Sequence, residues 1–422
     1  MSSQAPNRRS FLQLSGAFLA LPAATYKSAL GADQPPSEKL RLASIGVGNQ
    51  GSGNLKRFLK DVVAVCDVDK NFLAAGAATL EKAGKKPQTY TDFRKVIDAK
   101  DFDAVIVTVP DHWHALITVM ACQAGKDVFC EKPLSLTIAE GRKMVEAARK
   151  NKRVVQTGSM QRSAKEFHQA CELVRNGALG TLTSIKVGLP GPNWIERAKR
   201  PVPDSVPPAV LDYDLWLGPA PERPYNKNRV HYLFRFFWDY SGGQMTNWGA
   251  HHLDIAQWAL GMDDSGPTKV EATATFNKDR WFETPETATV KYTYANGLEM
   301  HCGQGKGAPA GGTTFVGEKG SIHVNRGKIE IKPAELSKQP CPSKLEISNN
   351  HYKNFLDCIK TRNKPICDVE VGHRSATVCH LGNIAIRSGK RLTWDPVKEQ
   401  FVGDADANKW VSKEYRKPWS LG

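Results

Sequence analysis

The chain has 422 residues, of which 41% are hydrophobic, 24% charged and 9% aromatic, a balance that excludes a disordered chain, a collagen-like fibre and a multi-span membrane protein. Its 58 Lys and Arg against 43 Asp and Glu give a formal charge of +15. The basic residues are scattered singly or in pairs such as Lys85-Lys86 and Lys199-Arg200, without an arginine-rich arm, zinc-finger spacing or helix-turn-helix signal, so no nucleic-acid partner is expected.

At the start of the chain, Asn7-Arg8-Arg9-Ser10-Phe11-Leu12-Gln13 precedes an apolar, small-residue run over 14–24. This resembles a twin-arginine export signal, with Asn before the arginines and Gln where Lys is frequent. Residues 1–32 are therefore expected to be a signal region, cleaved after Ala24 or Ala32, and residues 33–39 a solvated linker. The expected destination is the periplasm or beyond, with the cytoplasm as the alternative. No later run is long and apolar enough to span a bilayer.

From residue 40 strand and helix signals alternate. Strands are expected at 40–47, 62–66, 103–109, 127–130 and 154–157, and helices at 54–60, 72–83, 114–124 and 138–150. Buried apolar strands separated by helices argue for a parallel sheet covered on both faces. After residue 158 the texture changes. A helix at 166–176 leads into an alternating strand at 183–188, a Pro-rich loop over 189–208 and an aromatic-dense stretch to Tyr240. Strands follow at 271–276, 288–294, 298–302, 313–316, 321–325 and 328–332, then helices at 351–360 and 374–387. The fold class is thus an α/β N-terminal domain (40–158) plus an α+β C-terminal domain (159–390) with a mainly antiparallel open sheet, and a C-terminal extension (391–422). Of nine cysteines, Cys66, Cys122 and Cys130 lie in apolar segments as buried thiols. Cys302, Cys341, Cys358, Cys367 and Cys379 are open to bridging in an oxidising compartment.

Gly46-Val47-Gly48-Asn49-Gln50-Gly51 follows the first strand and opens a helix. The glycines supply a tight turn, close backbone approach to a pyrophosphate and close helix–strand packing, and the helix start favours phosphate charge. Asp67 ends the next strand, where a carboxylate would accept hydrogen bonds from ribose hydroxyls. Asp67 would repel a 2'-phosphate and Val68 offers no replacement cation, so NAD is favoured over NADP, with Lys70 moderating the preference.

Three further segments are Val109-Pro110-Asp111-His112-Trp113-His114, Cys130-Glu131-Lys132-Pro133-Leu134, and the run from Gly242-Gly243 to Asn247-Trp248-Gly249-Ala250-His251-His252-Leu253-Asp254. With the glycine motif they resemble the Gfo/Idh/MocA oxidoreductases. Residues 211–220 and the Trp-Gly-Ala-His-His run resemble that family's exported subgroup. The resemblance implies a Rossmann domain and an open-sheet domain with substrate between them. It implies that Lys132 meets the reacting hydroxyl, Glu131 helps hold the nicotinamide ribose, and Pro133 follows a cis bond. Pro110 and His114 would lie beside the cofactor. It also implies a homodimer or homotetramer. A cation beside the alcohol favours the developing alkoxide, and a lysine of depressed pKa can relay a proton. His251 matches the family histidine and is the candidate general base. The matching acid position is Asn247, a departure: asparagine orients a neighbour but takes no proton.

Asp254 is either a helix-surface acid or an orienter of the imidazole. His251, His252 and Asp254 do not make a metal site, because adjacent helical histidines point apart. Tyr213, Arg235 and Trp238 suit a sugar cleft, ring faces taking CH-rich surfaces and the guanidinium taking hydroxyls or a carboxylate. His252, Asp254 and Arg162 complete the expected substrate contacts. The leading expectation is an NAD-dependent oxidoreductase acting on a secondary hydroxyl of a sugar, polyol or glycoside. A second is a glycoside lyase or hydrolase using NAD transiently, and a third is a non-catalytic NAD-bearing binding protein.

Overall fold

The computed structural model describes residues 39–198, 200–279 and 281–422. The twin-arginine segment lies outside the described residues. The first part runs β1 (Leu42–Ile45), α1 (Gln50–Arg57), β2 (Val62–Cys66), α2 (Lys70–Glu81), β3 (Gln88–Tyr90), α3 (Phe93–Asp98), β4 (Ala104–Val107), α4 (Asp111–Gln123), β5 (Asp127–Cys130), α5 (Ile138–Lys150) and β6 (Val155–Thr157). All six strands pair in parallel in the order β3-β2-β1-β4-β5-β6. This is the doubly wound dinucleotide-binding topology, and its order reverses between β1 and β4. β1, β4 and β5 are buried along their whole length, which is why they read as unbroken apolar runs.

The second part contributes α6 (Lys165–Arg175), β7 (Leu182–Leu189), α7 (Trp194–Ala198), α8 (Tyr213–Leu217), α9 (Gly243–Asn247) and α10 (Gly249–Leu260). Strands β8 (Lys269–Thr275), β9 (Thr287–Thr293), β10 (Glu299–Gln304), β11 (Gly312–Gly317), β12 (Gly320–Asn325) and β13 (Lys328–Lys332) follow, then α11 (His351–Thr361) and α12 (Val369–Ser388). The chain closes with β14 (Leu392–Asp395), β15 (Gln400–Phe401) and α13 (Ala405–Asn408). Nine strands form one sheet, antiparallel except for the β7–β10 pair. Its alternate residues are buried, as in β9, against a core made with α6, α10 and α12.

Three features were not legible in the chain-order reading. Residues 391–422 add β14 and β15 to the sheet edge, and their end straps back over the first part, where Trp419 packs on Trp113 at 4.8 Å. The aromatic stretch crosses to the first sheet, where Asp69 and Leu211 form an isolated bridge and the Asp212 amide donates to the Val68 carbonyl. Helices α11 and α12 cover the first sheet, Phe355 joining the Phe58–Phe129 cluster and α12 packing along α5. The bridges weighed for the later cysteines do not form: all nine thiols are free, and eight of them are buried.

Candidate active site

At the C-terminal ends of β1, β2, β4 and β5 lies a cavity of about 330 Å³. Gly46 leaves β1 at φ +80°, and a Cβ there would stand 2.3 Å from the Thr108 carbonyl oxygen. A Cβ on Gly51 would stand 2.1 Å from the Gly46 carbonyl oxygen, and one on Gly48 would enter the Phe72 ring. Helix α1 opens at Asn49 (φ 40°) with no side-chain cap, leaving its start available to an anion. Gly46, Gly48, Asn49 and Gln50 line the cavity, whereas Gly51 sits behind them in the turn. Asp67 also lines it, accepting the Val47 and Asp69 amides at 2.9 Å each. Burial pushes its pKa up to about 6 against those hydrogen bonds, so it is a carboxylate at neutral pH. Glycines that no side chain can replace, an uncapped helix start and a buried carboxylate at the second strand end fit a dinucleotide.

The other end of the cavity joins the two parts of the chain. After β5, Lys132 precedes a cis bond to Pro133. Lys132 Nζ donates to the Asn247 backbone oxygen (2.9 Å) and to Asn247 Oδ1 (3.0 Å). Asn247 is held in turn, since its Nδ2 donates to Gln244 Oε1 at 2.9 Å and Gln244 Nε2 donates to the Gly191 carbonyl at 2.7 Å. Glu131 is fixed by Asn54 Nδ2 (2.9 Å), Gln50 Nε2 (3.3 Å) and the Lys132 amide (3.2 Å). Burial lowers the Lys132 pKa to about 8, with Glu131 opposing and Arg235 adding to the fall. His251 lines the same cavity from α10, and burial, then the Lys132 charge, hold its pKa well below the usual value. Its imidazole is therefore neutral.

His114 lines the cavity too, with one ring nitrogen 2.8 Å from the Pro133 carbonyl and the other 2.9 Å from that of Val109. Burial disfavours its charge, but the Cys130 thiol, Asp111 and the Pro133 carbonyl raise its pKa to about 10. Two acceptors on one ring require a donor at each nitrogen, the pattern of an imidazolium. Pro110 and Arg235 complete the expected residues found here.

Five of the expected substrate contacts lie elsewhere. Arg162 and Asp254 pair with each other at 2.8 Å, with side chains 1% and 0% exposed, and Asp263 and the Ser375 hydroxyl complete the cluster. Asp254 is therefore neither a surface acid nor an imidazole orienter. A desolvated carboxylate takes the nearest cation, and here that is Arg162. His252 turns away from His251, as successive helical residues must, and stacks on Trp248 at 6.0 Å. Tyr213 stacks on Trp216 at 5.9 Å and donates to the Pro224 carbonyl, whereas Trp238 carries the Arg387 guanidinium at 5.0 Å in a separate depression. Missed from sequence were Gln244, which sets the Asn247 amide, and Arg326, which enters the cavity from the β12–β13 turn. Neither belongs to a recognisable spacing. No group of three metal-ligating side chains occurs among the described residues.

Comparison with known proteins places residues 40–159 in the NAD-binding Rossmann fold of the Gfo/Idh/MocA oxidoreductase family and residues 163–421 in that family's C-terminal alpha/beta domain. Inositol 2-dehydrogenase from Salmonella typhimurium is 37% identical over 147 residues, 33% of this chain and 43% of that protein. A glycosyl hydrolase family 109 protein from Shewanella pealeana is 29% identical over 164 residues, 37% of this chain and 36% of that protein. The chain thus matches less than half the length of these relatives. The aldose-aldose oxidoreductase of Caulobacter crescentus superposes with a TM-score of 0.62 at 20% identity, over 84% of this chain and 99% of the other. WlbA dehydrogenase from Bordetella pertussis, solved with NADH and UDP-GlcNAcA, gives 0.64 at 18% over 85% and 99%. At such identities the likeness is one of fold.

Proposed function

The chain belongs to the Gfo/Idh/MocA oxidoreductase family, and on that premise we propose an NAD-dependent dehydrogenase acting on a secondary hydroxyl of a sugar, polyol or glycoside. The observation that carries this reading is the placement of Lys132 Nζ on Asn247 inside the cavity that also holds the glycine cradle. Asp67, the turn from Gly46 to Gly51, Glu131 and His114 would hold the dinucleotide, which supplies a hydride acceptor when bound. Lys132, with a pKa of about 8, takes the hydroxyl proton at Nζ in its neutral form and returns it in the reverse direction. His251, neutral and buried, would donate its ring N–H to the hydroxyl oxygen, leaving the hydroxyl proton directed at Nζ. Asn247 and Gln244 aim the amine, and Glu131 and Pro110 fix the floor beneath it.

The test is to supply NAD and a panel of sugars and polyols and follow NADH. A Lys132→Met variant is expected to lose at least a thousandfold in kcat/KM, the upper part of what acid–base groups contribute, while still binding NAD. The matches to glycosyl hydrolase family 109 proteins support a second reading, glycoside cleavage through transient oxidation. Cleaved glycoside with no NADH accumulating would replace the first reading by the second.

The Arg8-Arg9 pair and the apolar run over 14–24 support export by the twin-arginine route. A homodimer or homotetramer built on the nine-stranded sheet is also proposed, supported by the half-exposed alternate residues on its second face.

A further inference from the structure

Three cationic side chains, Lys132, Arg235 and Arg326, line the substrate end of the cavity. Among the described residues, the acids beside them are already answered. Glu131 accepts from Asn54, Gln50 and the Lys132 amide, and Asp111 accepts from the Ser241 hydroxyl and faces the charged His114. The position facing Lys132 is a neutral asparagine, so Asp111 and Glu131 are shared among Lys132, Arg235 and the charged His114, and the cluster keeps an excess of positive charge.

The arginines themselves are under-used. Arg235 donates from Nη1 to the Tyr232 carbonyl at 2.9 Å, and its Nε and Nη2 have no partner among the described residues. Its guanidinium lies over the Tyr232 and Phe234 rings at 4.5 and 4.7 Å. Arg326 donates from Nε to Gln161 Oε1 at 3.2 Å and lies over Trp248 at 4.7 Å, with both terminal nitrogens unpartnered among the described residues. A guanidinium resting on aromatic faces keeps its edges for a planar oxyanion, which it binds with two parallel hydrogen bonds. Arg235 is half-buried and Arg326 exposed, so these free donor edges are reachable by a ligand entering the cavity.

We propose, building on the dehydrogenase reading above, that the substrate is an acidic sugar carrying a carboxylate beside its reacting carbinol, received by Arg235 with Arg326 at the exposed side. A sugar phosphate presents the same oxyanion chemistry. Arg235 is near enough to Lys132 to lower its pKa, and a carboxylate borne directly on a ring carbon suits that closeness better than a phosphate on an exocyclic arm.

The experiment titrates the full chain, saturated with NADH so that no turnover occurs, with D-glucuronate, D-galacturonate, D-glucose, D-galactose and glucose 6-phosphate by calorimetry. At least one acid is expected to bind roughly tenfold or more tightly than its neutral parent, the range of a charge-assisted hydrogen bond. Arg235→Met should erase that advantage, lowering the acid's affinity far more than the parent sugar's and leaving the NADH affinity unchanged, and Arg235→Gln repeats the test should the first variant misfold. Neutral sugars binding as tightly as both acids would overturn the proposal, as would a preference that survives both substitutions. Weakened NADH binding with the acid preference intact would assign Arg235 to the cofactor and overturn it too, and tightest binding of glucose 6-phosphate would replace carboxylate by phosphate. Turnover with NAD is scored separately. Arg235-dependent acid binding without NADH formation keeps the anion site and defeats the dehydrogenase reading, whereas NADH from neutral sugars alone does the reverse.

Discussion

Lys132 sits in a buried site with an amide where a carboxylate would answer its charge, and its proton affinity falls accordingly, to about 8. The consequence for pH has a definite sign. Lys132 is protonated below about 8 and neutral above, so alcohol oxidation that uses the neutral amine should rise as pH passes through that value. Asn247→Asp would place an anion beside Nζ, favour the ammonium form and move the midpoint upward by about one unit or more. A pH profile of kcat/KM checks this, and an unmoved midpoint would transfer the proton step to another group. Arg162 behaves differently because it has no access to substrate. Arg162→Leu would leave Asp254 buried without its cation, at a cost of about 3–5 kcal/mol, read as a fall in the denaturation midpoint. Loss of activity without loss of stability would argue against a structural role.

The turn from β1 into α1 is an element whose geometry is set by what cannot fit. A methyl group on Gly51 would stand 2.1 Å from the Gly46 carbonyl oxygen, and that atom is backbone with nowhere to move. Gly51→Ala should therefore open the turn and weaken NAD binding by about tenfold or more, measured by titration of the cofactor. It should also lower stability, since the helix start and strand end part together. Helix α10 shows the complementary case, in which one element serves two purposes. Its His251 face meets the cavity, while His252 and Asp254 lie in the packing between sheet and helices. A period of 3.6 residues sends neighbours to different environments, so a run of polar residues on a buried helix divides between chemistry and structure.

For the whole molecule, the border near residue 158 is a border in the chain more than in the packing. Phe58 and Phe129 are buried by Tyr352 and Phe355 from α11, and Trp113 is covered by Trp419 from the chain's end. Residues 40–158 expressed alone would expose these rings. That fragment is expected to bind a hydrophobic dye and to lack a cooperative thermal transition, whereas the full chain melts cooperatively. A sharp transition in the fragment would show that the first sheet needs no cover from the later helices.

The sequence by itself determined the parallel sheet, the glycine turn with Asp67, and the positions of Lys132, Asn247 and His251. The sheet and the turn rest on short-range pattern, namely apolar runs four or five residues long, glycines at fixed offsets and an acid at a strand end, whereas Lys132, Asn247 and His251 are read from the resemblance of their segments to a known family. Only the tertiary structure decided that Arg162 and Asp254 answer each other, that Gln244 aims the Asn247 amide at Lys132, and that Arg326 joins the cavity from a hairpin turn. Those partners lie in different segments of the chain, and which charged group a buried side chain meets is settled by packing, because desolvation makes the nearest opposite charge compulsory.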